Sequence, residues 1–173
     1  NNISKYLKSQ RIDISTTQVI NYLKALNNAY LINRIGRIDI KGLKKFEVGD
    51  KYFFEDLGLR NCHIGFNLQR DIHKLLENAV YLHLSLLQYE IYTGQNEQQE
   101  IDFIGIKQGM KVYVQVTYLI VDEKTQKREF GNLMNIQDNY PKYVVSLDEF
   151  NRGSNVEGIH HLHLADFLKM NRL

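Results

Sequence analysis

An aspartate in the middle of an apolar strand pattern is the first residue of this chain whose type and place could do chemistry. Asp102 stands between Ile101 and Phe103 in the segment EIDFIGI. A carboxylate among apolar residues is costly unless it is paired, hydrogen-bonded or bound to a metal ion. Two interpretations stay open: a functional acid, or a strand-end acid that contacts water or accepts a hydrogen bond from a neighbouring N–H group.

The next strand pattern, KVYVQVTYL, carries two polar residues that could accompany this acid. Side chains alternate along a strand, so Gln115 and Thr117 are predicted on one face with Tyr113, opposite the face of the valines. A long helix pattern upstream carries a further acid, Glu77. The sequence thus offers three candidate residues for one site: Glu77 on a helix, and Asp102 and Gln115 on two successive strands.

Histidine and cysteine offer weaker candidates. His161 and His163 share one face of the segment IHHLHL, but no cysteine or acid nearby completes a metal site, so a half-exposed edge strand is the ordinary interpretation. Cys62 is the single cysteine, which excludes an internal disulfide and favours a reducing cytoplasmic environment. We interpret it as a structural or incidental thiol.

Positive charge is concentrated at the front of the chain. Residues 1–53 hold ten of the 22 Lys and Arg residues but only four of the 20 Asp and Glu residues. A basic front on an acidic body predicts an anionic partner such as nucleic acid, although a solvated charged face is the plain alternative. The candidate nucleic-acid-binding residues are Lys24, Arg34, Arg37, Lys41, Lys44 and Lys45, with Lys51 also basic in the same region.

The elements that carry these basic residues resemble a winged helix. A helical pattern over ISKYLKSQ is followed by a second helix that Ser15 and Gln18 begin with a capping box. A β-hairpin with a turn at Lys41-Gly42 comes next and would serve as the wing. Winged helices contact DNA through a recognition helix and the wing. Many bind proteins or act only as packing modules, so that alternative stays open.

The rear of the chain predicts an α/β layer with a mixed sheet. A helix over 68–88 precedes three strands, and Gly109 can supply the positive φ of a tight turn between the last two. An amphipathic helix then ends before Pro141. Two more strands and a terminal helical turn complete the order α-β-β-β-α-β-β-α, with strands predicted at 89–93, 100–106, 111–120, 142–150 and 159–164.

Composition is that of an ordinary globular protein. Of the 173 residues, 43% are hydrophobic and 24% are charged, enough for one domain or two small ones with a sizeable core. No apolar run approaches the roughly 18 residues of a membrane span, and no signal-peptide pattern is present. The chain opens on NNISKYLKSQ without an initiator methionine, from which we predict that it is a piece of a longer protein.

Several segments together resemble a known protein group. KYFFEDLGLRN, LENAVYLHL, NEQQEIDFIGIK, YVQVTYLIVDEKTQKRE and NYPKYVVSLDE are similar to the C-terminal region of predicted bacterial and archaeal AAA+-type P-loop ATPases, a region labelled a domain of unknown function. The resemblance covers essentially the whole chain in order. It implies that an ATP-binding P-loop domain precedes residue 1, since the chain itself contains no GxxxxGK[ST] motif.

The rear also resembles the PD-(D/E)XK nucleases. By that resemblance Glu77 matches the helix acid, Asp102 the metal-binding acid, Gln115 the glutamate of the E-x-K motif and Thr117 its lysine. In an active enzyme the acids hold Mg²⁺, which polarises the phosphate and activates water, while the lysine orients that water. Gln115 lacks the negative charge and Thr117 lacks the ammonium, so the resemblance implies a degenerate site. Lys107 and Lys111 lie near the turn between the strands, but the sequence gives no reason to expect either to replace the missing lysine.

These observations predict two domains in an α/β (α+β) fold. Residues 1–60 would form a winged-helix-like domain whose first helix would lie upstream of residue 1, and residues 61–173 would form a degenerate restriction-endonuclease-like core. We predict a cytoplasmic, non-catalytic recognition or regulatory region of a P-loop ATPase, which binds DNA or a partner protein and no membrane. The alternative is a metal-dependent nuclease in which Glu77 and Asp102 bind Mg²⁺ with a rearranged third ligand. In the first case no cofactor is expected in this region.

Overall fold

The structure, a computed structural model, describes residues 2–41, 44–95, 100–120, 122–150 and 152–173. Six helices lie in this part of the chain: α1 (Asn2–Ser9), α2 (Thr16–Asn28), α3 (Leu57–Ile64), α4 (Leu68–Leu86), α5 (Glu123–Met134) and α6 (Leu164–Phe167). The eight strands are β1 (Ile32–Asp39), β2 (Lys45–Phe54), β3 (Glu90–Gln95), β4 (Glu100–Lys107), β5 (Met110–Val116), β6 (Lys142–Ser146), β7 (Asn155–Val156) and β8 (Ile159–His163).

All eight strands belong to one mixed sheet with the order β2-β1-β3-β4-β5-β6-β8-β7. Strand β1 runs parallel to β3, and β6 lies parallel to both β5 and β8, while the remaining neighbours are antiparallel. The predicted mixed α/β class is therefore confirmed. The parallel β5-α5-β6 unit needs a crossover, and α5 provides it.

The two faces of the sheet bury two separate apolar clusters. On one face Val80 and Leu84 of α4 pack with Phe103 and Val114. On the other face α5 packs against the sheet through a cluster that includes Phe130, Leu133, Ile104 and Tyr113. Neighbouring residues of β5 thus face opposite layers, which confirms the alternation predicted from the sequence.

The helix start at Ser15 is as predicted. The Ser15 hydroxyl accepts a hydrogen bond from the Gln18 N–H group at 3.1 Å, and the Gln18 side chain accepts from the Ser15 N–H group at 3.1 Å. Each bond satisfies a backbone donor that the first helical turn leaves without a partner. Gly109 has φ 79° in the β4–β5 turn, also as predicted.

The hairpin of β1 and β2 extends the sheet of the rear region. Strand β1 pairs with β3 through Arg37 and Thr93, across the boundary that was predicted at residue 60. The winged-helix assignment and the two-domain division stay predictions. The β1–β2 hairpin, predicted as the wing, belongs to the same sheet as the strands of residues 61–173. The turn prediction at Lys41-Gly42 falls partly on Gly42, which lies outside the described residues.

Several element boundaries differ from the predictions. Helix α3 was not predicted; Asp56 caps it by accepting a hydrogen bond from the Leu59 N–H group. Strand β5 ends at Val116, four residues before the predicted end, because the chain leaves the sheet before α5. Helix α5 ends at Met134 and β6 at Ser146, both earlier than expected. In the described part of the chain, no helix is long and apolar enough to span a membrane.

Candidate functional site

A cleft of about 300 Å³ opens where α4, α5 and the strands β2, β4 and β5 meet. It contains three residues that were predicted from the sequence, Glu77, Asp102 and Gln115, and also Thr117. The remaining lining residues are Lys51, His73, Glu100, Val116, Arg128, Glu129 and Asn132. Four carboxyl groups therefore line one small space.

A β-bulge places Asp102 in this cleft. Tyr92 pairs with Ile104 and Gly94 with Ile101, so β4 has one residue more than β3 in this stretch. Bulges change the direction of a side chain and are frequent beside functional sites. The Asp102 Oδ2 atom accepts a hydrogen bond from the N–H group of Val116, on the neighbouring strand β5, at 2.9 Å.

The ammonium group of Lys51 lies among three carboxylates. Its Nζ atom is 3.4 Å from Glu77 Oε2, 3.4 Å from Asp102 Oδ1 and 3.3 Å from Glu100 Oε1. Strand β2 directs it here because Lys51 lies two residues before the buried Phe53 and therefore on the same face of the strand. Lys51 was assigned to the wing from its basic neighbours, and the hairpin's place in the sheet brings it to the acids instead.

Charge and burial set the protonation of this group. Burial raises the pKa of Asp102 to about 7, and the neighbouring Glu77 adds to the shift, while Lys51 and the Val116 N–H group oppose it. For Lys51, burial disfavours the charge, but Asp102, Glu77 and Glu100 together raise its pKa above the ordinary value. The ammonium therefore stays charged at neutral pH, and the Asp102 carboxyl lies near its own midpoint.

Gln115 is held between Asp102 and an acid that was not predicted. Its Oε1 atom accepts from the Asp102 N–H group at 3.3 Å, and its Nε2 atom donates to Glu129 Oε2 at 3.1 Å. Glu129 is only 4% exposed, and Arg128 donates to its other oxygen. The amide oxygen of Gln115 therefore points to the backbone of Asp102.

Positive groups match most of the acids. Lys51 contacts Glu77, Glu100 and Asp102, Arg128 binds Glu129, and Arg37 lies 3.3 Å from Glu100. Among the described residues of the cleft and its edge, three cations thus stand beside four carboxyl groups. In the described part of the chain, no group of three or more His, Cys, Asp or Glu side chains has the arrangement of a metal site.

The basic residues predicted to contact nucleic acid differ in whether their charged groups are already bound within the protein. Arg34 binds Asp50 at 2.7 Å, and Arg37 donates to Gln95 and Glu100, so both guanidinium groups have acceptors within the protein. Lys24, Lys41, Lys44 and Lys45 are exposed, and the Lys45 ammonium lies 5.0 Å from the centroid of a tyrosine ring, that of Tyr92.

The histidines of β8 differ from the expectation of a half-exposed edge strand. β8 lies between β6 and β7, and His161 is fully buried, with its Nε2 atom 2.7 Å from the Ser146 hydroxyl. His161 also packs edge-on against Phe130. The expectation was wrong for His161 because β8 is not at the edge of the sheet and Phe130 of α5 packs against the His161 ring. Cys62 is exposed.

Four charged residues of the cleft were not assigned to it by the sequence analysis: Lys51, Glu100, Arg128 and Glu129. Lys51 lies two residues from the apolar Phe53, and this alternation could have predicted that the Lys51 side chain lies on the buried face of the strand. Glu129 precedes Phe130, one of the residues of the predicted apolar stripe, so it could have been expected at the border of the buried face of α5. Neither pattern predicts which residues Lys51 and Glu129 contact, because those residues belong to elements far apart in the sequence.

Most of this chain is similar to part of a longer bacterial protein. No family model matches the chain, and no solved structure matches it. A Haemophilus influenzae protein described as uncharacterized is 32% identical over 166 residues, which are 96% of this chain. The chain spans 40% of the length of that relative.

Proposed function

We propose that this chain is a non-catalytic recognition and regulatory region of a P-loop ATPase. The observation that carries the proposal is the position of Lys51, whose ammonium lies within 3.4 Å of Glu77, Glu100 and Asp102. A cation of the protein itself thus neutralises the acids that would otherwise attract Mg²⁺. The resemblance to the C-terminal regions of such ATPases supports the ATPase context, and the Haemophilus influenzae relative is long enough to contain a further domain.

Displacement of Lys51 by a metal ion would be costly. A metal ion would have to displace the ammonium from its three contacts of 3.3–3.4 Å, and the Asp102 carboxyl would have to lose its proton fully to bind the ion. Gln115 offers little in exchange, because its amide oxygen faces the Asp102 N–H group and its nitrogen binds Glu129. Thr117 cannot supply a charge. The cleft is therefore better suited to holding α4, α5 and the sheet together than to binding a divalent cation.

The partner surface that we propose is the exposed side of α2 and the segment that follows it. Val19 is the buried residue of α2, whereas Tyr22, Leu26 and Tyr30 are 61%, 40% and 77% exposed. Contiguous exposed apolar side chains mark sites of protein interaction. Because the surface is apolar and Arg34 is already paired, we propose a protein partner in preference to DNA, and specifically the P-loop ATPase domain.

The partner proposal is tested by mixing this chain with the separately expressed ATPase domain of the full-length protein and measuring binding by calorimetry. Leu26→Glu should weaken binding at least tenfold, because a charge would be buried in an apolar contact. Leu86→Glu is the matched control, since Leu86 is 77% exposed on α4, and it should change nothing. Equal losses in both variants, or no binding by the wild type, would contradict the proposal.

A metal-dependent nuclease is the second candidate, and Lys51 is also the observation that favours it. An ammonium beside Glu77 and Asp102 supplies the charge that Thr117 lacks. Glu77 and Asp102 would hold Mg²⁺ together with a rearranged third ligand, and the bound ion would polarise a phosphate and lower the pKa of water. Lys51 would then orient the attacking water and offset negative charge on the phosphate.

DNA cleavage separates the two candidates. Wild-type protein is incubated with single-stranded and duplex DNA in Mg²⁺ or Mn²⁺, with Asp102→Asn and Glu77→Gln as inactive references. The non-catalytic proposal expects equal, background cleavage by all three proteins. Cleavage by the wild type that both substitutions abolish would refute it and establish the nuclease.

A further inference from the structure

A second cleft, of about 580 Å³, lies at the other end of β5. Gln115 and Thr117 line the acidic cleft near the carboxyl end of this strand, whereas Lys111 lines the second cleft near its amino end. The volume is within the range of roughly 300–1,000 Å³ that is usual for small-molecule sites. Its lining residues in the described part of the chain are Ile40, Lys41, Lys111, Asn135, Ile136, Gln137, Asp138 and Tyr140.

Two ammonium groups of this cleft have no acidic partner among the described residues. Neither Lys41 nor Lys111 forms an ion pair with a described carboxylate, and the Lys111 ammonium lies 5.4 Å from the centroid of the Tyr140 ring. The carboxylate of Asp138 is occupied elsewhere: its Oδ2 atom accepts from the Tyr113 hydroxyl, and Oδ1 is 3.5 Å from Lys142 Nζ. The cleft therefore presents positive charge to a ligand.

The rest of the lining suits a flat ring system. Ile40 and Ile136 are buried residues that give the cleft an apolar lining, and the half-buried Tyr140 adds an aromatic ring. Asn135 and Gln137 are exposed at the edge and carry amide groups that both donate and accept hydrogen bonds. Apolar contacts, an aromatic ring and side-chain amides are the groups that receive a nucleobase.

We propose that this cleft binds a nucleotide, with its phosphates between Lys41 and Lys111 and its base against Ile40, Ile136 and Tyr140. Lysine binds phosphate as a compact point charge, and the amides of Asn135 and Gln137 contact the edge of the base. The ligand is a free nucleotide or the end of a nucleic acid strand, since both have the same chemistry. The site is separate from the Lys51 cleft and does not depend on the function proposed above.

The test measures binding of ADP to the purified chain by calorimetry at low salt. The Lys41→Gln, Lys111→Gln double variant should weaken binding at least tenfold. Lys5→Gln, Lys169→Gln is the matched control, because it removes the same charge at two exposed sites elsewhere, and it should change the dissociation constant less than twofold. No binding by the wild type, or an equal loss in the control, would overturn the proposal.

Two further measurements test the base and the source of the nucleotide. Tyr140→Leu should weaken ADP binding and leave pyrophosphate binding unchanged, whereas equal binding of ADP and pyrophosphate by both proteins would overturn the base contact. Competition by a 5′-phosphorylated oligonucleotide against ADP would support a strand end, and failure to compete would support a free nucleotide. The competition experiment is interpreted only after ADP binding has been shown to depend on Lys41 and Lys111.

Discussion

The pH dependence of stability should report the burial of Asp102 directly. The pKa of this carboxyl is about 7 in the folded protein and about 3.8 in the ordinary solvated state, because burial and Glu77 disfavour its charge. Between these values the folded protein keeps a proton that the unfolded chain releases. The resulting stability is fully present below about pH 4 and is lost as the pH rises through 7.

The magnitude follows from the two pKa values. Between about pH 5 and about pH 8 the unfolding free energy contributed by Asp102 falls by about 3 kcal/mol. Asp102→Asn removes this titration, and the amide oxygen can still accept the hydrogen bond from the Val116 N–H group. The unfolding free energy of the variant minus that of the wild type should therefore increase by about 3 kcal/mol over this pH interval.

The assay is urea unfolding followed by circular dichroism at several pH values, with two-state analysis. Both proteins keep the other titratable groups of the cleft, which are Lys51, His73, Glu77, Glu100 and Glu129. The difference therefore reports the titration of Asp102 together with its effect on the groups coupled to it, chiefly Glu77 and Lys51. Asp13→Asn is the matched control, because it makes the same substitution at a side chain that is 99% exposed. A pH-independent difference for Asp102→Asn would refute the reasoning about its environment.

Two further predictions compare pairs of substitutions by urea unfolding. Leu84→Ala should cost about 2–5 kcal/mol because Leu84 is fully buried, whereas Leu86→Ala, on the exposed side of the same helix, should stay within about 0.5 kcal/mol; equal effects would contradict the assigned orientation of α4. Gly94→Ala should cost about 1–3 kcal/mol, because its Cβ atom would lie 2.6 Å from Ile104 Cδ1 in the core. Gly131 in α5 has open space around its Cβ position, so Gly131→Ala should raise the unfolding free energy by about 0.5–1 kcal/mol. An unchanged unfolding free energy for Gly94→Ala would contradict the close contact between Gly94 and the Ile104 side chain.

Local patterns predicted the elements well where their causes are local. The capping box of Ser15 and Gln18 and the positive φ of Gly109 depend on a few neighbouring residues, and both are found in the structure. The long helix that carries Glu77 was predicted for the same reason. Its apolar side chains recur with the helical period, and that period is a property of the segment itself.

Element ends and short elements were harder to predict. β5 stops at Val116 although the apolar pattern continues to Ile120, because pairing with β4 and β6 decides where a strand ends. Helix α3 was missed because its eight residues span only about two turns, too few for the apolar positions to repeat with a helical period. Its start depends on one cap, Asp56, rather than on a repeated pattern.

The sequence by itself determined the mixed α/β class, the order of most elements, and the two acids, Glu77 and Asp102, that share a cleft. Tertiary structure alone decided what surrounds them. Lys51 precedes Asp102 by about fifty residues and reaches it because β2 joins the sheet and α4 packs against that face. Strand order and register are properties of pairing between distant segments, so no local pattern contains them. For the same reason the charge that balances the acids could not be read from the residues around them.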